Sequence, residues 1–392
     1  MTHAFRGFGL ATTLVLVSSL AVTPQAKAQS TSSTAAYVYI QIQGPQGSVY
    51  GFTASSSGKL SAIAGAPWKP TGLIIGDNKQ LLVTMGEDNL HSWAIDSNGA
   101  IGGALESNPD TDYGDDCDAG SNVGAMMDHT GQYVYVLQQK ASTELCMAYK
   151  SFEISDQYSE GVFDGVGETE ADPPTGGGDG LPSILGDESF AYADQYQGAA
   201  NSILGFQRDS MGALTLIGAM DPAFPGGGAY TPHHPDASPA GDFVVLQEVE
   251  NDNTAVVQLG SFSVDSAGNL SGTNTAETMP TSPFVPTGTT FSPAGNLFVT
   301  WADNPGNNPA GGPGTPNGIA IYNFNGADPL TPYTTLLSGT PIDQVAWDSS
   351  NHLYAISQNG NTLYVFTVTP TSVTEDTVWS IGSPFKMLVV SE

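Results

Sequence analysis

The sequence predicts an all-β protein, a seven-bladed β-propeller of four-stranded blades, and three features carry that prediction. A hairpin signature recurs seven times. A β-rich strand runs ahead of every copy, and the chain ends in an apolar strand with no partner near it in sequence. Composition agrees: of 392 residues 47 are Gly, 26 Pro, 16 Phe and 15 Tyr, and only 12% are charged. No long stripe of period 3.6 marks a helix.

The hairpin unit has an aromatic residue, a polar turn that usually holds Gly, and a second apolar residue. Its clearest copies are Val49-Tyr-Gly-Phe52-Thr-Ala-Ser-Ser-Ser-Gly58-Lys-Leu60, Leu90-His-Ser-Trp93-Ala-Ile-Asp-Ser-Asn-Gly99-Ala-Ile101, Ile203-Leu-Gly-Phe206-Gln-Arg-Asp-Ser-Met-Gly212-Ala-Leu214 and Leu259-Gly-Ser-Phe262-Ser-Val-Asp-Ser-Ala-Gly268-Asn-Leu270. Weaker copies centre on Phe152, Phe324 and Phe366. The aromatic positions fall about 52 residues apart, which suits one blade with generous loops.

The strands ahead of the hairpins include Tyr37-Val-Tyr-Ile40, Gln132-Tyr-Val-Tyr-Val136 and Asn296-Leu-Phe-Val-Thr300. Period-two runs rich in Val, Tyr and Phe are strand signals. Turns such as Ser238-Pro-Ala-Gly241 and Ser292-Pro-Ala-Gly295 precede them, with a further apolar run before that. Each unit therefore reads strand a, turn, strand b, loop, strand c, turn, strand d. The first blade has b, c and d but no a. The final strand, Phe385-Lys-Met-Leu-Val-Val390, is expected to supply it, because a closed ring leaves no bare sheet edge.

Residues 1–28 have a basic start at Arg6, an apolar stretch and the small-residue site Ala26-Lys-Ala28, the pattern of a secretory signal peptide cleaved after Ala28. Residues 29–392 then form one propeller domain. The apolar stretch is shorter than the roughly 20 residues a spanning helix needs, so no membrane span is expected. The protein is expected to be exported, to the periplasm or beyond the cell, and to be a monomer.

Formal net charge is −30, with nine basic residues, two of which lie in the leader. Each phosphate contact requires a cation, so the charge argues against nucleic acid or anionic membrane as partner, and no nucleic acid is expected. The charge also serves solubility. The long insertions, at residues 104–122, 156–181, 219–235 and 273–287 (d to a) and 138–146, 195–202, 248–257 and 302–318 (b to c), emerge on one face of a propeller. A ligand site is expected there, on loops held by a rigid scaffold.

Three groups of residues could carry chemistry. Cys117 and Cys146, the only cysteines, read as one disulfide in an exported chain, with free or metal-bound thiols as the alternative. Asp110, Asp112, Asp115, Asp116 and Asp118 place five carboxylates in nine residues, which suits Ca²⁺ or a solvated acidic loop. Gly114 and Ser121 stand where an EF-hand needs ligands. His233 and His234, with Asp236 beside them and Glu248 at the next loop, could do general-base work on water or could be structural.

The alternation of Tyr-Val-Tyr-Ile with Val-Tyr-Gly-Phe-x-x-x-x-x-Gly-Lys-Leu, and Ser-Pro-Ala-Gly-Asn-Leu-Phe-Val with its hairpin, resembles the seven-bladed propellers of the lactonase family. That family includes 6-phosphogluconolactonase, carboxymuconate cycloisomerase and YVTN-repeat surface proteins. The resemblance implies a hydrolase acting on a lactone or another carbohydrate-derived ligand. Its site motifs match in part. Ser121-Asn-Val-Gly124 stands where the family carries Pro-His-Ala-His. Pro232-His233-His234 resembles Pro-Arg-His, and Glu248 lies one residue before the family Glu. Few cations are present to offset a phosphate, so an unphosphorylated sugar-type lactone is the expected substrate. The alternative is a non-catalytic module whose acidic face binds a cation, a cationic ligand or a protein.

Overall fold

A computed structural model describes residues 33–43, 47–87, 89–108, 121–140, 146–155, 161–170, 180–195, 202–225, 230–250, 256–279, 284–303 and 316–392. Asp110, Asp112, Asp115, Asp116, Asp118 and Cys117 lie outside these residues. Cys146 opens the strand Cys146–Ser155.

The described residues form seven four-stranded antiparallel sheets and no helix. The innermost strands, taken from blade 1 to blade 7, are Pro384–Ser391, Leu73–Asp77, Ser121–Met127, Ser183–Ile184, Tyr230–Ala237, Gly288–Phe291 and Gln344–Trp347. Blade 1 joins the two ends of the chain: Pro384–Ser391 pairs with Thr34–Ile42, setting Val390 opposite Tyr37 and Met387 opposite Ile40.

The core is a ring of seven apolar clusters, one between each pair of neighbouring blades. Ile40 and Phe52 of blade 1 pack with Tyr354, Leu363 and Val365 of blade 7, and Tyr39 and Val49 pack with Leu82 and Ile95 of blade 2. A blade's middle strands therefore have a neighbour on both faces. This explains why Leu81–Met85 and Leu297–Ala302 are buried at every position, where the period-two reading expects one wet face. Outer strands such as Ser372–Ser380 are largely open to solvent.

The repeated turn has a specific chemistry. Asp96 Oδ1 accepts the backbone N–H groups of Asn98 and Ala100 at 2.8 and 2.9 Å, and Asp209 and Asp265 hold their turns in the same way. The glycine that follows takes a left-handed φ of 79° at Gly99 and 82° at Gly212. Its carbonyl is the acceptor for a tyrosine of the preceding blade: Tyr39 donates to Gly99 at 2.8 Å and Tyr135 to Gly212 at 2.9 Å. A Cβ at Gly99 would lie 2.3 Å from the Tyr37 ring, so the close approach also demands glycine.

Strand register supplies a common ruler. The third-strand aromatic always faces the same second-strand position: Phe52 faces Val38, Trp93 Leu82, Phe152 Val134, Phe206 Ala191, Phe262 Val244 and Phe366 Leu353. In the sixth blade that place belongs to Tyr322, opposite Phe298, and not to Phe324. Two aromatics spaced by two share one strand face, so the sequence motif alone cannot separate them.

Candidate functional site

Three residues beyond the ruler position, each second strand nears the face that carries the long insertions. The residues there are Gln41, Met85, Leu137, Asp194, Gln247, Trp301 and Ile356. Their inner-strand partners are Lys386 for Gln41, Leu73 for Met85, Gly124 for Leu137, His233 for Gln247, Gly288 for Trp301 and Gln344 for Ile356. The short inner strand of blade 4 does not reach this tier. One tier of the channel wall thus carries Lys386 and His233, with Asp194 on the strand behind.

His233 and His234 are brought together with Asp194, which sequence reading did not single out. Asp194 Oδ2 is 3.2 Å from His233 Nδ1, accepts the backbone N–H of His234 at 3.3 Å, and lies 3.8 Å from His234 Nδ1. Asp194 and His233 are buried, whereas the His234 side chain is 63% exposed. The register shifts between His233 and Asp236, and His234 sits at that bulge with a φ of 47°, in the left-handed region. Bulges of this kind re-aim side chains, and such backbone strain concentrates at functional sites. Desolvation nonetheless holds the His234 pKa below its ordinary value, against the pull of Asp194. A ring open to water yet desolvated fits a position recessed in the channel wall.

Glu248 lies opposite Pro232, one position nearer the mouth than the His233 tier. It is fully buried, and neither carboxyl oxygen has a partner at hydrogen-bonding geometry among the described residues. Burial pushes its pKa up to about 8, tempered by the Gln258 amide. Gly260 on the adjoining strand leaves the space, since a Cβ there would lie 2.1 Å from Glu248 Oε1. Asp236, the other sequence candidate, is pushed up to about 7 by burial, against hydrogen bonds from Thr289 and Ser183. The Ser183 hydroxyl donates to its Oδ1 at 3.4 Å and accepts the Ala237 N–H at 2.7 Å. Asp236 is therefore held through Oδ1, while its Oδ2, Asp194 Oδ1 and both Glu248 carboxyl oxygens are buried with no partner at hydrogen-bonding geometry among the described residues.

These raised values set the sign of a pH effect. Glu248 keeps its proton in the folded protein up to about pH 8 but loses it near 4.5 when unfolded. Between those values the native state binds more protons, so stability falls as pH rises. The contribution is complete below the lower value, is gone above the upper one, and amounts to several kcal/mol. The melting temperature should therefore drop from about pH 5 to about pH 8. Glu248→Gln should flatten that slope; an unchanged slope in this variant would show that Glu248 ionises freely in the folded state.

A cavity of ≈ 390 Å³ lies on the opposite face, at the turns Asp77–Lys79 and Asp128–Gly131. Its carboxylates and its histidine are engaged: Asp128 with Arg208, Asp77 with the Lys79 N–H, and His129 Nε2 with the Ile184 carbonyl. Among the described residues no three His, Cys, Asp or Glu side chains converge to hold a metal ion. The acid–base pairing at the channel mouth is the stronger candidate.

Comparison with solved structures places this architecture. A protein assigned as a 6-phosphogluconolactonase, from Bacteroides fragilis NCTC 9343, superposes with a TM-score of 0.64 at 15% identity, over 92% of this chain and 99% of the other. A counterpart from Bacteroides uniformis ATCC 8492 gives 0.63 at 15% identity, over 91% and 100%. The periplasmic gluconolactonase PpgL of Pseudomonas aeruginosa gives 0.61 at 14%, over 91% and 99%. The chain has the lactonase-type propeller fold. At these identities the likeness extends to the fold alone. No protein-family model and no curated protein matches the sequence. Within the lactonase-type propeller, the tier of Asp194, His233 and Lys386 belongs to the channel wall. Asp194 and Lys386 would have been found by stacking the seven sequence copies, because each breaks a column otherwise filled by apolar or neutral residues.

Proposed function

We propose that this protein is an exported lactonase-like hydrolase that opens an unphosphorylated sugar-type lactone at the channel mouth. The observation that carries the reading is the Asp194-pinned histidine pair beside a buried, unpaired Glu248. His234, held mostly neutral by its lowered pKa, takes a proton from water as the oxygen attacks the lactone carbonyl. Asp194 fixes the His234 backbone and the His233 ring. When the ring C–O bond breaks, the departing oxygen takes the proton that Glu248 retains below about pH 8. Water is consumed, the product is a hydroxy acid that loses its acidic proton to solvent, and His234 gives up its proton to solvent as Glu248 takes one back, which restores both groups.

Export rests on the leader pattern of residues 1–28. Discrimination against phosphorylated lactones rests on charge, −30 overall with nine basic residues in the chain. In the test, the purified protein is offered unphosphorylated and 6-phosphorylated gluconolactone. His234→Ala should lower turnover of the unphosphorylated lactone by about 10² or more, the usual worth of a positioned acid or base, with its melting temperature preserved. Equal turnover by variant and wild type would remove His234 from the reaction. A wild-type protein inert on both lactones would leave the binding-module reading.

A further inference from the structure

Lys386 is the single Lys or Arg on the seven inner strands, in a protein with only nine basic residues. Asp77 and Asp236 are the only carboxylates on those strands, and burial raises both, to about 6 and about 7. The described inner wall is therefore far less negative than the protein as a whole. Lys386 pairs with Gln41 as His233 pairs with Gln247, so the two occupy equivalent places in blades 1 and 5, on one tier of the channel. The other inner-strand residues of that tier carry no carboxylate, and Asp194 on the strand behind is engaged with His233 and the His234 backbone. Leu73, Gly124 and Gly288 are apolar. The Gln344 amide is spent on the Met387 backbone, at 2.9 and 2.7 Å.

Lys386 is partly buried, and among the described residues no carboxylate forms an ion pair with it. Burial alone depresses its pKa, with no neighbouring charge contributing. A desolvated cation without a counter-charge is costly, and it is unexpected in a chain with so large an excess of acids. Its neighbour Gln41 cannot compensate it. The Gln41 amide donates to the Gly72 carbonyl at 2.8 Å and accepts the Ile74 N–H at 3.2 Å, bracing the next blade.

We propose that Lys386 is the anion-binding residue of the channel and that its ligand is the carboxylate of a hydroxy acid, the species that lactone opening releases. The inference deepens the hydrolase reading and rests on it for the choice of ligand. A carboxylate brought to Lys386 would supply the missing counter-charge, and the hydroxyl chain would extend along the tier. The binding can be measured without turnover.

The test is calorimetric titration of the full chain with gluconate, and with inorganic phosphate as a second arm. Wild type should bind gluconate, Lys386→Gln should weaken it by about tenfold or more, and Lys386→Arg should retain it, since a charge-assisted contact is typically worth that much. Removing an uncompensated cation should not destabilise the fold, so the melting temperature of Lys386→Gln serves as a control. An inert wild type that still binds gluconate through Lys386 would remove the hydrolase and keep the anion site. Equal affinities for wild type and Lys386→Gln would overturn the proposal even in an active enzyme. Phosphate binding as tight as gluconate would overturn the hydroxy-acid assignment.

Discussion

Deleting residues 385–392 should abolish cooperative unfolding. The lost segment is almost all of the inner strand of blade 1, including the pairing of Val390 with Tyr37 and Met387 with Ile40. It also takes Met387 from the cluster shared with blade 7 and Val390 from the cluster shared with blade 2. Two of the seven inter-blade cores open together, and Thr34–Ile42 becomes a bare, apolar edge. Exposed edges of that kind template aggregation. Circular dichroism and light scattering during heating would reveal it. A truncated protein that melts like the full chain would show that the C-terminal strand is not the closure of the ring.

Arg208→Met should cost about 3–5 kcal/mol, the usual penalty for leaving a buried charge without its partner. Arg208 is the only arginine beyond the leader, and it stitches blade 4 to the turn of blade 3. Its Nη2 lies 3.0 Å from Asp128 Oδ2 and its Nη1 3.6 Å from Glu188, while Nε donates to the Tyr135 hydroxyl at 2.6 Å. The guanidinium also sits 4.7 Å from the Tyr133 ring centroid, a cation–π contact. The Asp128 side chain has no solvent exposure. Urea titration would measure the loss, and adding Asp128→Asn to the variant should recover part of it. A loss below about 1 kcal/mol would place the pair among ordinary surface ion pairs.

The fold was legible because its determinants are local and repeated. In the hairpins of blades 1, 2, 4 and 5 an Asp or Ser, a glycine with left-handed φ and an apolar residue recur at fixed spacing whatever surrounds them. The site was legible only in part. His233, His234 and Glu248 stood out as residue types, but Asp194, which organises the histidines, lies 39 residues before His233 and meets it only when blades 4 and 5 pack. The raised pKa of Glu248 depends on a burial that no single strand reveals, under space left by Gly260. Lys386 looks like an ordinary strand residue until ring closure places it on the same tier as His233. The Phe324 assignment moved by two because register, set by hydrogen bonds between strands, is not written in a motif of two like aromatics.

The central claim is that His234 and Glu248 act as base and acid on a lactone, and the pH dependence of turnover tests it most directly. On unphosphorylated gluconolactone the rate should rise as His234 loses its proton, below the ordinary histidine value, and fall through about pH 8 as Glu248 ionises. Glu248→Gln should be slower by about 10² and should lose the alkaline limb. A wild-type rate that keeps rising past that point, with the same profile in Glu248→Gln, would contradict the account.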